Sequence, residues 1–146
     1  MEIERKFLVK SLPDISKYRG EEIVQGYISI KPERRIRKRN GRYFYTEKGE
    51  GTLVREEIEY EVDAAKGEAL FAQVKSNLIE KTRYCIPYGK YTIELDIYKG
   101  KFEGLTVCEV EFESKDDALS FNAPDWFGTD ITENKEYRNK ILATKE

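Results

Sequence analysis

The chain contains no histidine. Ser/His/Asp and Cys/His catalysis are thereby excluded, as are the usual zinc sites. Its two cysteines, Cys85 and Cys108, form neither a metal-ligand spacing nor a disulfide framework. That scarcity points to a reducing, intracellular setting, so a cytoplasmic location is expected. No apolar run approaches the ~18 residues of a membrane helix, and the first residues read Met-Glu-Ile-Glu-Arg-Lys. Neither a membrane span nor a secretory signal is expected. An excess of one charge is missing too. With 26 Lys and Arg against 28 Asp and Glu, the net charge is −2, which gives no bulk case for a nucleic-acid or membrane-surface partner.

What is abundant is charge of both signs, 37% of 146 residues. Any catalysis must rest on carboxylates, lysine, arginine, tyrosine or a hard metal ion. The length suits one domain with a real core, and no linker, low-complexity stretch or repeat divides it. A single domain over residues 1–146 is expected.

Period-two alternation marks eight strands. They are read at Glu2–Lys10, Glu22–Lys31, Arg34–Arg39, Arg42–Lys48, Leu53–Val62, Leu78–Pro87, Tyr91–Tyr98 and Leu105–Glu113. Asn40-Gly41 signals a type I′ hairpin, whose two central residues need positive φ. Pro32-Glu33, Gly49-Glu50-Gly51 and Tyr88-Gly89-Lys90 are turns. Asp63 is a plausible N-cap for a helix from Ala64 to about Ser76, which Gly67 weakens. Ser114, with Asp117 three residues on, opens a second helix ending near Phe121. Asn122–Gly128 reads as a loop holding Trp126, a packing anchor. A last helix spans about Thr132 to Ala143. Short strands joined by tight turns suggest an antiparallel sheet that closes or nearly closes, with the helices outside.

The polar parity collects the charges. Its acids are Glu2, Glu4, Glu57, Glu59, Glu61, Glu94, Asp96, Glu109 and Glu111. Its bases are Lys6, Arg35, Arg37, Arg39, Lys48, Arg55, Lys81 and Arg83. The bland account is a sheet with one wet face. Two features weigh against it: charged rows recur on nearly every strand, and their signs cluster strand by strand. Carboxylates facing each other across a small lumen repel unless a cation sits between them. Oxygen-only donors suit Mg²⁺ or Mn²⁺. Arginine and lysine rows suit phosphate oxygens. A cavity with both would bind a metal-bridged polyphosphate, provided the charged face turns inward.

The chain resembles the CYTH domain, the triphosphate tunnel metalloenzyme superfamily. The resemblance starts at Glu2-Ile-Glu4-Arg-Lys6, which fits that family's ExExK signature. It continues through Gln25-Gly26-Tyr27, Arg35-Ile-Arg37, Lys48 and Arg55-Glu-Glu57-Ile-Glu59. It then takes in Glu80-Lys81-Thr82-Arg83-Tyr84, Glu94-Leu-Asp96, Glu109-Val-Glu111-Phe112, Trp126-Phe127-Gly128 and the segment around Asn134–Asn139. Essentially the whole chain is covered, in order.

The resemblance implies a mainly β fold, an eight-stranded antiparallel closed barrel whose tunnel takes a small-molecule triphosphate. It implies Mg²⁺ or Mn²⁺, two ions, held by Glu2, Glu4, Glu109 and Glu111, with Asp96, Glu57 and Glu59 as further candidates. Phosphate binding is expected at Lys6, Arg35, Arg37, Lys48, Arg55, Lys81 and Arg83. Catalytic roles are expected at Glu2, Glu4 and Lys81. Tyr27 matches a tyrosine sometimes given an acid/base role, although a phenol that merely hydrogen-bonds a lumen charge is the preferred reading. Arg39 and Glu61 are expected at the tunnel mouth. Lys135 and Arg138 reach a phosphate only if the last helix plugs one end.

The small bacterial inorganic tripolyphosphatases are the most similar members, so hydrolysis of tripolyphosphate to pyrophosphate and phosphate is the expected activity. Rivals are a nucleoside or thiamine triphosphatase, a class IV adenylate cyclase, and a non-catalytic polyphosphate- or nucleotide-binding module. The oligomeric state stays open, a homodimer being one option.

Overall fold

Strand propensity and alternation carry through into one sheet. The computed structural model describes residues 1–51 and 53–145. Ten strands are present: β1 (Glu2–Val9), β2 (Glu21–Ser29), β3 (Glu33–Arg39), β4 (Arg42–Lys48), β5 (Val54–Arg55), β6 (Glu57–Val62), β7 (Ile79–Tyr88), β8 (Tyr91–Lys99), β9 (Thr106–Glu111) and β10 (Phe127–Asp130). Three helices accompany them: α1 (Ala64–Phe71), α2 (Lys115–Ser120) and α3 (Asn139–Leu142). Every pairing is antiparallel, in the order β10-β1-β9-β8-β7-β2-β3-β4-β6, while β5 pairs with β1.

The expected fifth strand is divided. Val54 and Arg55 pair with Ile3 and Glu2 of β1, whereas Glu57 onward pairs with β4. The chain changes partner across Glu56, so the ladder does not run unbroken around the sheet. The count is therefore ten strands, not eight. The expected loop at Asn122–Gly128 ends in β10, which pairs with β1 and sets Phe127 4.7 Å from the Phe7 ring. Four residues are too few for a legible alternation. The long last helix is replaced by a 3-10 turn at Lys135–Tyr137 and the one-turn α3. Arg138 sits between them at ψ 137°, extended backbone that no continuous helix tolerates.

The Asn40-Gly41 turn and both expected N-caps hold, while α1 stops at Phe71 and not near Ser76. Asn40 and Gly41 both have positive φ, 52° and 77°, as a type I′ turn requires. Asp63 caps α1 by accepting from Lys66 N at 2.8 Å, and Ser114 caps α2 by accepting from Asp117 N at 3.1 Å. Gly67 has a further purpose: a Cβ there would lie 2.3 Å from Tyr43 ring carbons, so glycine lets α1 approach β4.

Burial follows parity. The residues between the charges form two outer cores, one around Phe7, Leu95 and Val110 against α2, the other around Ile36, Tyr43 and Leu70 under α1. The charged face is not charged along its whole length. Along β7 it reads Arg83, Lys81, Ile79; along β8, Glu94, Asp96, Tyr98; along β9, Glu111, Glu109, Val107. Ile79, Tyr98 and Val107 join Tyr27, Ile131, Leu142 and Ala143 in a third core. The C-terminal segment thus packs on the apolar end of the charged face.

Candidate active site

The charged face encloses a cavity of about 190 Å³, lined by eight carboxylates and eight cations. Of the side chains singled out from sequence, Glu2, Glu4, Lys6, Tyr27, Arg35, Arg37, Lys48, Arg55, Glu57, Glu59, Arg83, Glu109 and Glu111 all line it. They arrive from β1, β2, β3, β4, β5, β6, β7 and β9. Period-two geometry delivers every second residue of each strand to the same space.

Most of these charges hold one another. Lys48 Nζ donates to Glu2 at 3.0 Å and lies 3.7 Å from Glu57. Arg55 bridges Glu2 and Glu33 at 3.7 and 3.2 Å. Arg35 pairs with Glu59 at 3.5 Å and Arg39 with Glu21 at 2.8 Å. Lys6 Nζ donates to the Tyr137 carbonyl at 2.8 Å and stands 3.9 Å from Glu109. Two lining cations, Arg37 and Arg138, have no carboxylate within ion-pair distance among the described residues. Arg37 Nε donates to the Gln25 amide oxygen at 3.0 Å, and Arg138 Nη2 donates to the Gly51 carbonyl at 2.6 Å.

Lys81 and Asp96 are placed differently. Both side chains are 0% exposed, and neither lines the cavity. They sit where the charged face turns apolar. Asp96 receives Lys81 Nζ at 2.7 Å and Arg83 through Nε and Nη2 at 2.7 and 2.9 Å. Direct phosphate contact by Lys81 and metal ligation by Asp96 find no support in this placement. Both would act through Arg83, whose Nη1 also donates to Glu94 at 3.1 Å.

Burial and neighbours set the proton affinities. Burial raises the Asp96 carboxyl, but Arg83 and Lys81 outweigh it and hold it below the ordinary range. Burial, aided by the positive charge of Arg83 and Arg37, pulls the Lys81 ammonium down to about 7. Of the two cations sharing Asp96, the ammonium is the one able to release a proton. Burial first, then Glu109, pushes Glu4 well above the ordinary value. Glu2 and Glu111 are raised as well, burial leading in both. Tyr27, 2% exposed, is pushed up to about 12 by burial and stays a neutral phenol at physiological pH.

Glu2, Glu4 and Glu111 therefore carry the stress of crowded, half-desolvated carboxylates, which a hard divalent cation relieves. The donor set suits such an ion chemically. It is not assembled in advance: among the described residues, no three His, Cys, Asp or Glu side chains converge as a metal cage. Lys48 and Arg55 occupy Glu2 instead.

Three lining residues, Glu33, Ile131 and Thr132, escaped sequence reasoning. Glu33, expected in a turn, opens β3 and is buried between Arg55 and Lys140. Its parity with Arg35 and Arg37 was the available signal. Arg39 and Glu94 line the cavity on the expected parity. Thr132, Asn134, Arg138 and Asn139 come from the C-terminal segment; Arg138 is expected there if that segment plugs one end, Asn134 and Asn139 enter only through the family resemblance, and Thr132 has no sequence signal.

Comparison with known proteins agrees along the length of the chain. The CYTH domain model matches residues 1–142. An inorganic triphosphatase of Nitrosomonas europaea is 42% identical over 147 residues, covering 97% of this chain and 96% of that protein. An inorganic triphosphatase of Acetivibrio thermocellus is 33% identical over 145 residues, covering 97% and 92%. The crystal structure of an inorganic triphosphatase aligns with a TM-score of 0.73 at 37% identity, over 100% of this chain and 96% of that one. With a family match over nearly every residue and two relatives above 30% identity, this chain belongs to the CYTH domain family.

Proposed function

We propose that the chain hydrolyses inorganic tripolyphosphate to pyrophosphate and phosphate inside this cavity, with Mg²⁺ or Mn²⁺. The observation that carries this reading is the cavity wall itself. It sets stressed carboxylates beside an arginine, Arg37, that has no carboxylate within ion-pair distance among the described residues. The names of the relatives point the same way. The barrel is read as closed, with β5 and β6 acting as one stave between β1 and β4. Residues 1–146 act as one domain, and both cysteines are free thiols, as a cytoplasmic setting would keep them.

Arg37, Arg35, Arg83, Lys6, Lys48 and Arg55 bind and orient the phosphate chain and offset charge that develops on the transferred group. Arg37 supplies its charge without displacing a carboxylate; Arg35, Lys48 and Arg55 must loosen from theirs. Glu2, Glu4, Glu109 and Glu111 hold the divalent ions, with Glu57 and Glu59 alongside. Such ions, when bound, polarise phosphoryl oxygens and acidify water. Asp96 and Lys81 fix Arg83 from below. Tyr27 donates a hydrogen bond to a lumen anion and takes no proton.

A phosphate-release assay with tripolyphosphate and Mg²⁺ or Mn²⁺ tests this, run beside ATP and thiamine triphosphate. Release by the wild-type protein that is abolished by chelation and by Glu4→Ala is expected. Turnover no greater than that of Glu4→Ala would sink it, and faster turnover of either organic substrate would replace the substrate.

A further inference from the structure

We infer that Gln25 is a positioning residue for the anion site: it braces Arg37 without neutralising it, keeping one guanidinium of the cavity available to a phosphate group. This rests on the triphosphatase reading and adds to it how one binding arginine is held.

Gln25 lies directly opposite Arg37 in the β2–β3 register. Its side chain is 0% exposed, and its Oε1 accepts from Arg37 Nε at 3.0 Å. The other arginines of the wall contributed by β strands are held by acids: Arg35 by Glu59, Arg39 by Glu21, Arg55 by Glu33, Arg83 by Asp96. Arg37 alone among them is held by a neutral amide. An acceptor on Nε fixes the plane of the guanidinium and leaves both terminal nitrogens free for a forked contact with phosphate. A carboxylate would fix the plane equally well but would offset the charge.

The arrangement carries a visible cost. With Oε1 committed to Arg37, Gln25 Nε2 is buried without a partner. An orphaned donor of that kind gives up its hydrogen bonds to water and regains none in the fold. Glutamate at position 25 would leave no donor orphaned and would form a charge-assisted pair. The amide is thus the worse choice for stability and the better one for binding an anion. Burial, with Arg35 and Arg83 nearby, draws Arg37 down to about 9, so it still carries its charge at neutral pH.

Calorimetric titration with inorganic tripolyphosphate, free of divalent ions, tests the brace through affinity. Gln25→Glu is expected to weaken binding about tenfold, as a competing carboxylate takes the guanidinium. Gln25→Leu removes the acceptor but not the charge and should weaken it about threefold, with the loss falling on affinity more than on kcat. In an Arg37→Ala background neither change should weaken binding further, since the two residues act as one unit. Gln25→Asn, shorter by one methylene, is the mild variant should the others fail to fold.

Proton exchange of the Arg37 Nε–H by NMR reports the brace without any ligand: slow in wild type, fast in Gln25→Leu. Equal weakening with and without Arg37, or exchange unchanged by Gln25→Leu, overturns the inference. A wild-type protein that binds tripolyphosphate without turning it over defeats the hydrolase reading and leaves the brace standing. One that does not bind it overturns both.

Discussion

Asp96 is the residue on which two buried cations depend. Removing its charge leaves Lys81 and Arg83 facing each other in a site from which water is excluded. Breaking a buried pair in this way costs about 3–5 kcal/mol. Asp96→Asn is expected to lower stability by that order, read as a shift in the urea midpoint with an unchanged slope. The linked pH effect has a definite sign. The folded carboxyl lies below its ordinary 3.8, so its contribution is complete above that value and fades as pH falls through the lower folded one. The Asn variant should therefore lose part of its acid limb of unfolding. Tyr27 makes the opposite case, a residue whose loss should matter little to the chemistry. Pushed up to about 12, it is no base near neutrality. Tyr27→Phe is expected to keep kcat within about threefold of wild type, with an unchanged pH–rate profile. A hundredfold loss of kcat would return a proton-transfer role to the phenol. Parity placed Asp96, Lys81 and Tyr27 on the inner face correctly. It says nothing of depth along the strand, so it could not distinguish a lining charge from one seated on the apolar end.

Helix α1 and strand β4 meet at a point that propensity misjudges. In isolation, Gly67→Ala should favour a helix by about 1 kcal/mol. Against Tyr43 the added Cβ would fall 2.3 Å from the root of the ring, not from a flexible tip, so either the ring or the helix must move. Net destabilisation of about 1–3 kcal/mol is expected, measured by chemical unfolding. A stabilised variant would mean that α1 can slide off β4 at little cost. The same contrast explains which elements were readable. β1, β7, β8 and β9 show their strand character because charged and apolar side chains alternate over six residues or more, and β3 through its row Arg35, Arg37, Arg39 beside the Asn40-Gly41 turn. β10 has four residues and a glycine, and α3 has a single turn. Tertiary contacts shape them instead: Phe127 against Phe7, Leu142 and Ala143 on the inner apolar end, Lys140 to Glu33, and the Tyr98 hydroxyl to Asn139. Residues that line the cavity from such a segment leave no periodic trace, which is why Thr132 has no signal and Asn134 and Asn139 are reached only through the family resemblance.

At the scale of the whole molecule, the question is whether the charged face is a trough or a tunnel, and β5 and β6 decide it. A trough would leave β1 and β4 each with an open edge, whose unpaired amides exchange freely and invite pairing with other chains. The sheet order ends at β10 and β6, but β5 and β6 together touch both β1 and β4. Arg55 lies opposite Glu2 on β1, Glu57 lies opposite Lys48 on β4, and a single residue, Glu56, separates the two registers. Backbone bonds stitch the junction on both sides: Glu4 N donates to Leu53 O at 3.2 Å, and Gly49 N donates to Glu56 O at 2.9 Å. Side chains converge there as well, since Glu2 meets both Lys48 and Arg55. Closure would make the stave cooperative with its neighbours, whereas a flap would open by itself at low free energy. Native-state hydrogen exchange separates the two. In a closed barrel, the paired amides of β6 and the Glu4 and Gly49 amides should exchange only with global unfolding, at the same free energy as central β8. Arg55→Ala, which removes one partner each from Glu2 and Glu33 at the junction, should lower that protection in β5 and β6 first. Fast exchange of this stave in the wild-type protein, with β8 still protected, would make the charged face a trough, and the phosphate chain would then be bound along an open wall.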